Sequence, residues 1–148
     1  MKTNWTKIAT IVLSICLTLL FLHPVLLAQE TESETATPES GNIIVKAVQF
    51  CSDIQDRTPV NPDSVFTSET EKVYCLVELD CKLDEASIQH LWYHNETLMN
   101  TVDLKVAKSP NWRTWSYKSM FPGAVGKWEV VVKITDGEIL KLGRFEVK

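Results

Sequence analysis

The run from Lys127 to Thr135 places Trp128, Val130, Val132 and Ile134 on one parity, against Glu129 and Lys133 on the other. A period of two sorts side chains this way only in an extended strand, whose successive residues point to opposite faces; a helix would scatter the same residues around its axis. Lys72 to Cys81 repeats the pattern, with Val73, Cys75, Val77 and Leu79 opposed to Glu78 and Asp80. Each is therefore a half-buried strand of a sheet that covers a core on one side. Asp136-Gly137, directly after the first run, is a tight hairpin turn leading into Ile139 to Val147.

No helical period interrupts the chain after Ile43. Further strands are predicted over Ile43 to Cys51, Ile88 to His94, Leu98 to Val106 and Trp112 to Met120, separated by turn residues at Asn95-Glu96, Ser109-Pro110-Asn111, Pro122-Gly123 and Gly126. Arg57 to Ser68, with Pro59 and Pro62, reads as a loop holding a short edge strand near Val65-Phe66. Seven to eight short strands without helices predict an all-β domain over residues 43–148, a single immunoglobulin-like antiparallel β-sandwich.

Residues 1–28 are of another kind. Lys2 and Lys7 precede Ile8 to Leu22, which has no charge and whose hydroxyls are Thr10, Ser14 and Thr18, as in the core of a secretory signal peptide. His23-Pro24 interrupts the run before Val25 to Ala28 resume it, so Ile8 to Ala28 also reads as one transmembrane helix of about 30 Å. Leu26 is bulky for its place before a cut after Ala28, which favours the anchor, but both readings stand. In either case the basic flank stays in the cytoplasm and the remainder is extracytoplasmic. Residues 29–42 carry Glu30, Glu32, Glu34 and Glu39 with a single Ala as the apolar side chain, and read as a disordered acidic linker.

All 19 acidic residues follow Ala28 with 13 of the 15 basic ones, and the domain itself holds a net charge of only −2. Such a balance gives no electrostatic reason to bind nucleic acid or anionic lipid. The partners expected are the membrane, through the N-terminal segment, and an envelope protein or cell-wall glycan.

Cys51, Cys75 and Cys81 lie in the exported domain, where oxidation is permitted. Cys75 and Cys81 are about 20 Å apart on one extended strand and cannot join. Cys51 ends one strand as Cys75 begins the next, so Cys51–Cys75 is the disulfide candidate, set against three free buried thiols. No metal site is expected: the cysteines lack close-set pairs, and His90 and His94 on one strand face are about 13 Å apart.

The most aromatic stretch is Asn-Trp-Arg-Thr-Trp-Ser-Tyr-Lys, Asn111 to Lys118. Because Trp112 shares parity with Thr114, Ser116 and Lys118, Trp115 and Tyr117 are expected to point inward and Arg113 to reach solvent or a carboxylate. Within Ile88 to His94, His90 and Trp92 share one face, and Leu91 and Tyr93 share the other. A ligand- or partner-binding face is accordingly expected from His90, Trp92, Tyr93, Trp112, Arg113 and Trp115. The plainer alternative is that large rings fill a small core. Asn95-Glu96-Thr97 fits a glycosylation acceptor but reads more simply as a hairpin turn. The chain has no Gly-x-Ser-x-Gly elbow and no glycine-rich phosphate loop among its five glycines, and Glu78, Asp80 and Asp84 fall on solvent parity or in loops. No catalytic residue or cofactor is expected, and a small hydrolase is the weaker reading.

Phe50-Cys51, Lys72-Val73-Tyr74-Cys75, the run Ile88 to His94, Trp112-Arg113-Thr114-Trp115-Ser116, Gly126 to Val130, Asp136 to Leu140 and Phe145-Glu146-Val147, in this order, resemble a bacterial domain of unknown function, family number 2914. The resemblance implies a small extracytoplasmic β domain, commonly attached to membrane segments, with no assigned activity. A looser likeness to immunoglobulin sandwiches rests on the spacing from Cys75 to Trp92; no second cysteine occurs in the late strands, so only architecture carries over.

Overall fold

The structure is a computed structural model describing residues 40–135 and 137–148. After a 3-10 turn at Ser40–Asn42, the chain forms nine strands among these residues: β1 (Ile43–Gln55), β2 (Thr58–Pro62), β3 (Val65–Phe66), β4 (Lys72–Cys81), β5 (Ala86–His94), β6 (Thr97–Val106), β7 (Ser109–Ser119), β8 (Gly126–Ile134) and β9 (Ile139–Val147). They build two sheets, ordered β2-β1-β4-β7 and β3-β9-β8-β5-β6. The expected all-β architecture is therefore found. The expected antiparallel character holds except at β3, which runs parallel to β9 through Val65 opposite Glu146 and Phe66 opposite Val147. The signal or anchor, the linker up to residue 39 and Asp136 lie outside the described residues.

Each alternating strand turns its apolar parity inward. Val73, Cys75, Val77, Leu79 and Cys81 of β4 face Ile88 and Trp92 of β5, Trp128, Val130, Val132 and Ile134 of β8, and Phe145 and Val147 of β9. Phe145 is the centre: its ring lies 4.7 Å from Phe50, 5.7 Å from Phe66, 6.2 Å from Trp92 and 5.8 Å from Trp128, which it stacks at 10°. Trp128 stacks in turn on His94 at 4.5 Å. Gly143 lets β9 come close to β1, since a Cβ there would sit 2.8 Å from Val48 Cγ1 and 2.9 Å from Phe50 Cζ.

The segment expected to be a loop, Arg57 to Ser68, contains β2 as well as β3. Asp56 (φ 48°) and Arg57 (φ 61°) form a two-residue hairpin, and β2 pairs with β1 from Gln55 opposite Thr58 to Cys51 opposite Pro62. Pro59 and Pro62 do not prevent this, because β2 is an edge strand and a missing N–H can face solvent. The hairpin does not continue the sheet flat. Arg57 Nη2 donates to Arg113 O (3.1 Å) on β7, two strands beyond β1 in the hydrogen-bonding order, so the hairpin crosses the outer face of β4. Cys51 and Leu76 point away from the main core yet are sealed from solvent.

The cysteine pairing proposed from sequence does not form. Phe50 lies opposite Cys75 and Cys51 opposite Tyr74, so Cys51 and Cys75 point to opposite faces of the sheet, and all three cysteines of the described domain are free and buried. One residue of register separates the two outcomes, and strand-end proximity alone does not fix it.

Candidate functional site

The register of β7 against β4 sets Leu79 opposite Trp112, Val77 opposite Thr114 and Cys75 opposite Ser116, all on the inner side. Arg113, Trp115 and Tyr117 are outward, opposite Glu78, Leu76 and Tyr74. The expected orientation of Trp112, Trp115 and Tyr117 is thus reversed. Trp112 packs on the core, whereas Trp115 and Tyr117 lie on the outer face. Polar residues tolerate the inner side of β7 because it is a sheet edge and because Ser116 has partners there. Ser116 Oγ accepts from Trp92 Nε1 (3.0 Å) and shares a 2.8 Å hydrogen bond with His90 Nδ1, tying the two sheets together.

His90 and Trp92 are wholly buried. Together with Arg113 and Trp115 on the far side of the other sheet, they cannot make one binding face, which corrects the expectation from sequence. Desolvation holds the His90 pKa down to about 4 from the usual 6.5, and its Nε2 has no hydrogen-bond partner. On the outer face, Arg113 Nη2 and Nε bind Glu78 Oε2 at 2.8 and 2.9 Å, and Lys72 Nζ sits 5.2 Å above the half-exposed Tyr117 ring.

Tyr93 goes elsewhere. It points out from the five-stranded sheet, opposite Glu129 on β8, which is itself opposite Arg144 on β9. The three side chains form a row across three adjacent strands, about 10 Å long at the usual strand spacing. Arg144 Nε donates to Glu129 Oε2 at 2.7 Å. Asn95, Glu96, Lys127 and Trp128 complete a cleft of about 650 Å³ around the row.

The end of this cleft is fixed by the β5–β6 turn, where Asn95 (φ 46°) and Glu96 (φ 70°) take the left-handed pair of angles that such two-residue hairpins need. Asn95 N–H donates to Lys127 O (2.9 Å) and Asn95 Oδ1 accepts from Lys127 N–H (3.0 Å). Gly126 (φ 134°) is required beside it, as a Cβ would come within 2.7 Å of Asn95 Oδ1. Asn95, considered as a glycosylation acceptor, thus has its carboxamide oxygen engaged in closing the turn.

Residues 85–147 match the model of a protein family of unknown function, DUF2914. The DUF2914 match covers β5 to β9 and includes every residue that lines the cleft. It is narrower than the resemblance read from the sequence, since Phe50-Cys51 and Lys72 to Cys75 fall outside it. No curated protein matches the chain.

Sequence reasoning found Tyr93 but not its partners. Glu129 and Lys127 were legible only as the solvent side of a strand. Arg144 carried no signal until the β8–β9 register placed it beside Glu129.

Proposed function

We propose that residues 43–148 are a non-enzymatic binding module of a bacterial envelope protein, displayed on the extracytoplasmic side by the linker and by an N-terminal helix that is either an anchor or a cleaved signal. Its architecture reads as immunoglobulin-like. The ligand that suits it best is a cell-wall glycan, and the observation that carries this reading is the Tyr93–Glu129–Arg144 row. A tyrosine ring offers a flat apolar face to the C–H side of a sugar, while the carboxylate and guanidinium beside it accept from and donate to ring hydroxyls. With Lys127 and Glu96 the lining carries two charges of each sign, which suits a polyhydroxylated ligand rather than an ion.

Catalysis has less support. Glu78 and Glu129 are each paired with an arginine, and His90 is buried, neutral at physiological pH and a weak base. Calorimetric titration of the protein with soluble cell-wall glycan fragments tests the proposal. Binding should weaken about ten-fold in Tyr93→Ala and in Arg144→Ala, the equivalent of roughly 1.4 kcal/mol. Absence of binding at millimolar fragment, or an affinity in either variant unchanged from that of the unsubstituted protein, would refute it.

A further inference from the structure

The sandwich treats its two sides unequally. On one side the sheets end in β2, five residues with Pro59 and Pro62, and in β3, only two residues long. These are strands that resist adding a neighbour. On the other side they end in β6, ten residues, and β7, eleven, each paired with a strand along one edge alone, with Arg57 Nη2 reaching the Arg113 carbonyl of β7. A bulge interrupts β6 where it meets Trp92 and Tyr93, and its outer face presents Asp103 and Lys105, devices that discourage pairing. The ladder of β7 with β4 is regular from Trp112 to Ser119, and its irregularity is confined to the far end.

We propose that two copies of this chain pair through β7, antiparallel, about a twofold axis at Thr114. Pairing that keeps inner faces with inner faces requires partner residue numbers of matching parity, and the middle of Ser109–Ser119 is Thr114. In this register Arg113 of each copy lies opposite Trp115 of the other. The guanidinium, already oriented by Glu78, meets an indole twice over. Lys118 lies opposite Pro110, so neither cation of β7 faces a cation of the second copy. On the inner side Trp112 lies opposite Ser116 of the second copy. Trp112 Nε1 is buried with no acceptor within a single chain, and pairing brings a hydroxyl alongside it. A register centred on Arg113 would set that arginine against itself. The Tyr93 cleft lies on the other sheet's outer face and stays open in the pair, so this inference stands apart from the glycan reading.

A residue on the axis meets its own copy, so the test is cysteine cross-linking in the full chain carrying Cys16→Ser, with Cys51, Cys75 and Cys81 buried. Under diamide, Thr114→Cys should convert to a disulfide dimer. Ser119→Cys should not, because in this register its counterpart is Ser109 and the two Ser119 positions are about 33 Å apart. Adding Trp115→Lys to Thr114→Cys sets lysine opposite Arg113 and should slow dimer formation at least about ten-fold. Failure of Thr114→Cys to cross-link, equal rates for Ser119→Cys, or indifference to Trp115→Lys would each overturn the proposal.

Discussion

Lowering the pH should destabilise this domain through one identifiable side chain. His90 is sealed between the sheets, bonded by Nδ1 to Ser116 and with Nε2 unpartnered, and its pKa in the fold is about 4 against 6.5 when free. Above pH 6.5 the imidazole is neutral in both states and its contribution is complete. As pH falls below 6.5 the unfolded chain takes up a proton that the folded one refuses, and stability declines until the pH passes 4. A shift of this size corresponds to about 3 kcal/mol, at roughly 1.4 kcal/mol per unit. This is a large share of the ~5–15 kcal/mol that holds a typical domain together.

Carboxylates that titrate in the same range would act on any variant, so the informative quantity is the difference between the protein and His90→Leu. Leu removes the titration and the orphaned nitrogen, and leaves Ser116 to accept from Trp92. Urea unfolding followed by tryptophan fluorescence at pH 7.5, 5.5 and 4 should give a stability difference that moves in favour of His90→Leu by about 3 kcal/mol over that range. Parallel curves would show that His90 is not desolvated in the fold and would refute the argument.

Ser116→Ala leaves Trp92 Nε1 and His90 Nδ1 without their shared partner and should cost about 2–4 kcal/mol in a urea titration. Gly143→Ala forces a methyl against Val48 and Phe50 and should cost about 1–3 kcal/mol, read as a lowered melting temperature. Arg113→Ala removes the half-exposed ion pair with Glu78 and the contact to Arg57, with an expected loss near 1 kcal/mol. Amide exchange should then rise selectively over residues 52–62, where the hairpin tip keeps only the Arg57 Nη2 bond to the main chain at position 113. Cys51, Cys75 and Cys81 should resist a thiol reagent until denaturant is added, since burial raises the pKa of Cys51 and Cys75 and all three lack access. A Cys51–Cys75 bridge found in a non-reducing digest would contradict the register of β1 on β4.

The strands were legible wherever one face is apolar and the other wet. β4 and β8 declared their inner parity through four apolar residues each, and the short β3 was read at Val65-Phe66. β2 was missed because proline argues against a central strand and the sequence does not say which strands are edges. The orientation of β7 was misread for a related reason. Periodicity divides its residues into two sets but does not label them, and an edge strand can turn Ser116 inward when a buried imidazole and an indole await it. The cleft was half legible: Tyr93 stood out as an aromatic residue on an alternating strand, whereas Arg144 gained meaning only from its neighbour across the sheet. Cross-strand partnership depends on register, and neither composition nor spacing along one strand determines it.

The column His94, Trp128 and Phe145, with Trp92 set edge-on to its last ring, has a consequence for what light will report about this protein. Rings fixed in a dense, chiral surround give near-ultraviolet circular dichroism that averages away once they turn freely, even while the backbone ladders persist. Because the column joins β5, β8 and β9 and touches β1 through Phe50, its dichroic bands gauge whether the two sheets are in register with one another. The far-ultraviolet bands of the same sample report only that strands exist, so a compact but loosened form of the domain would reveal itself as a gap between the two spectra.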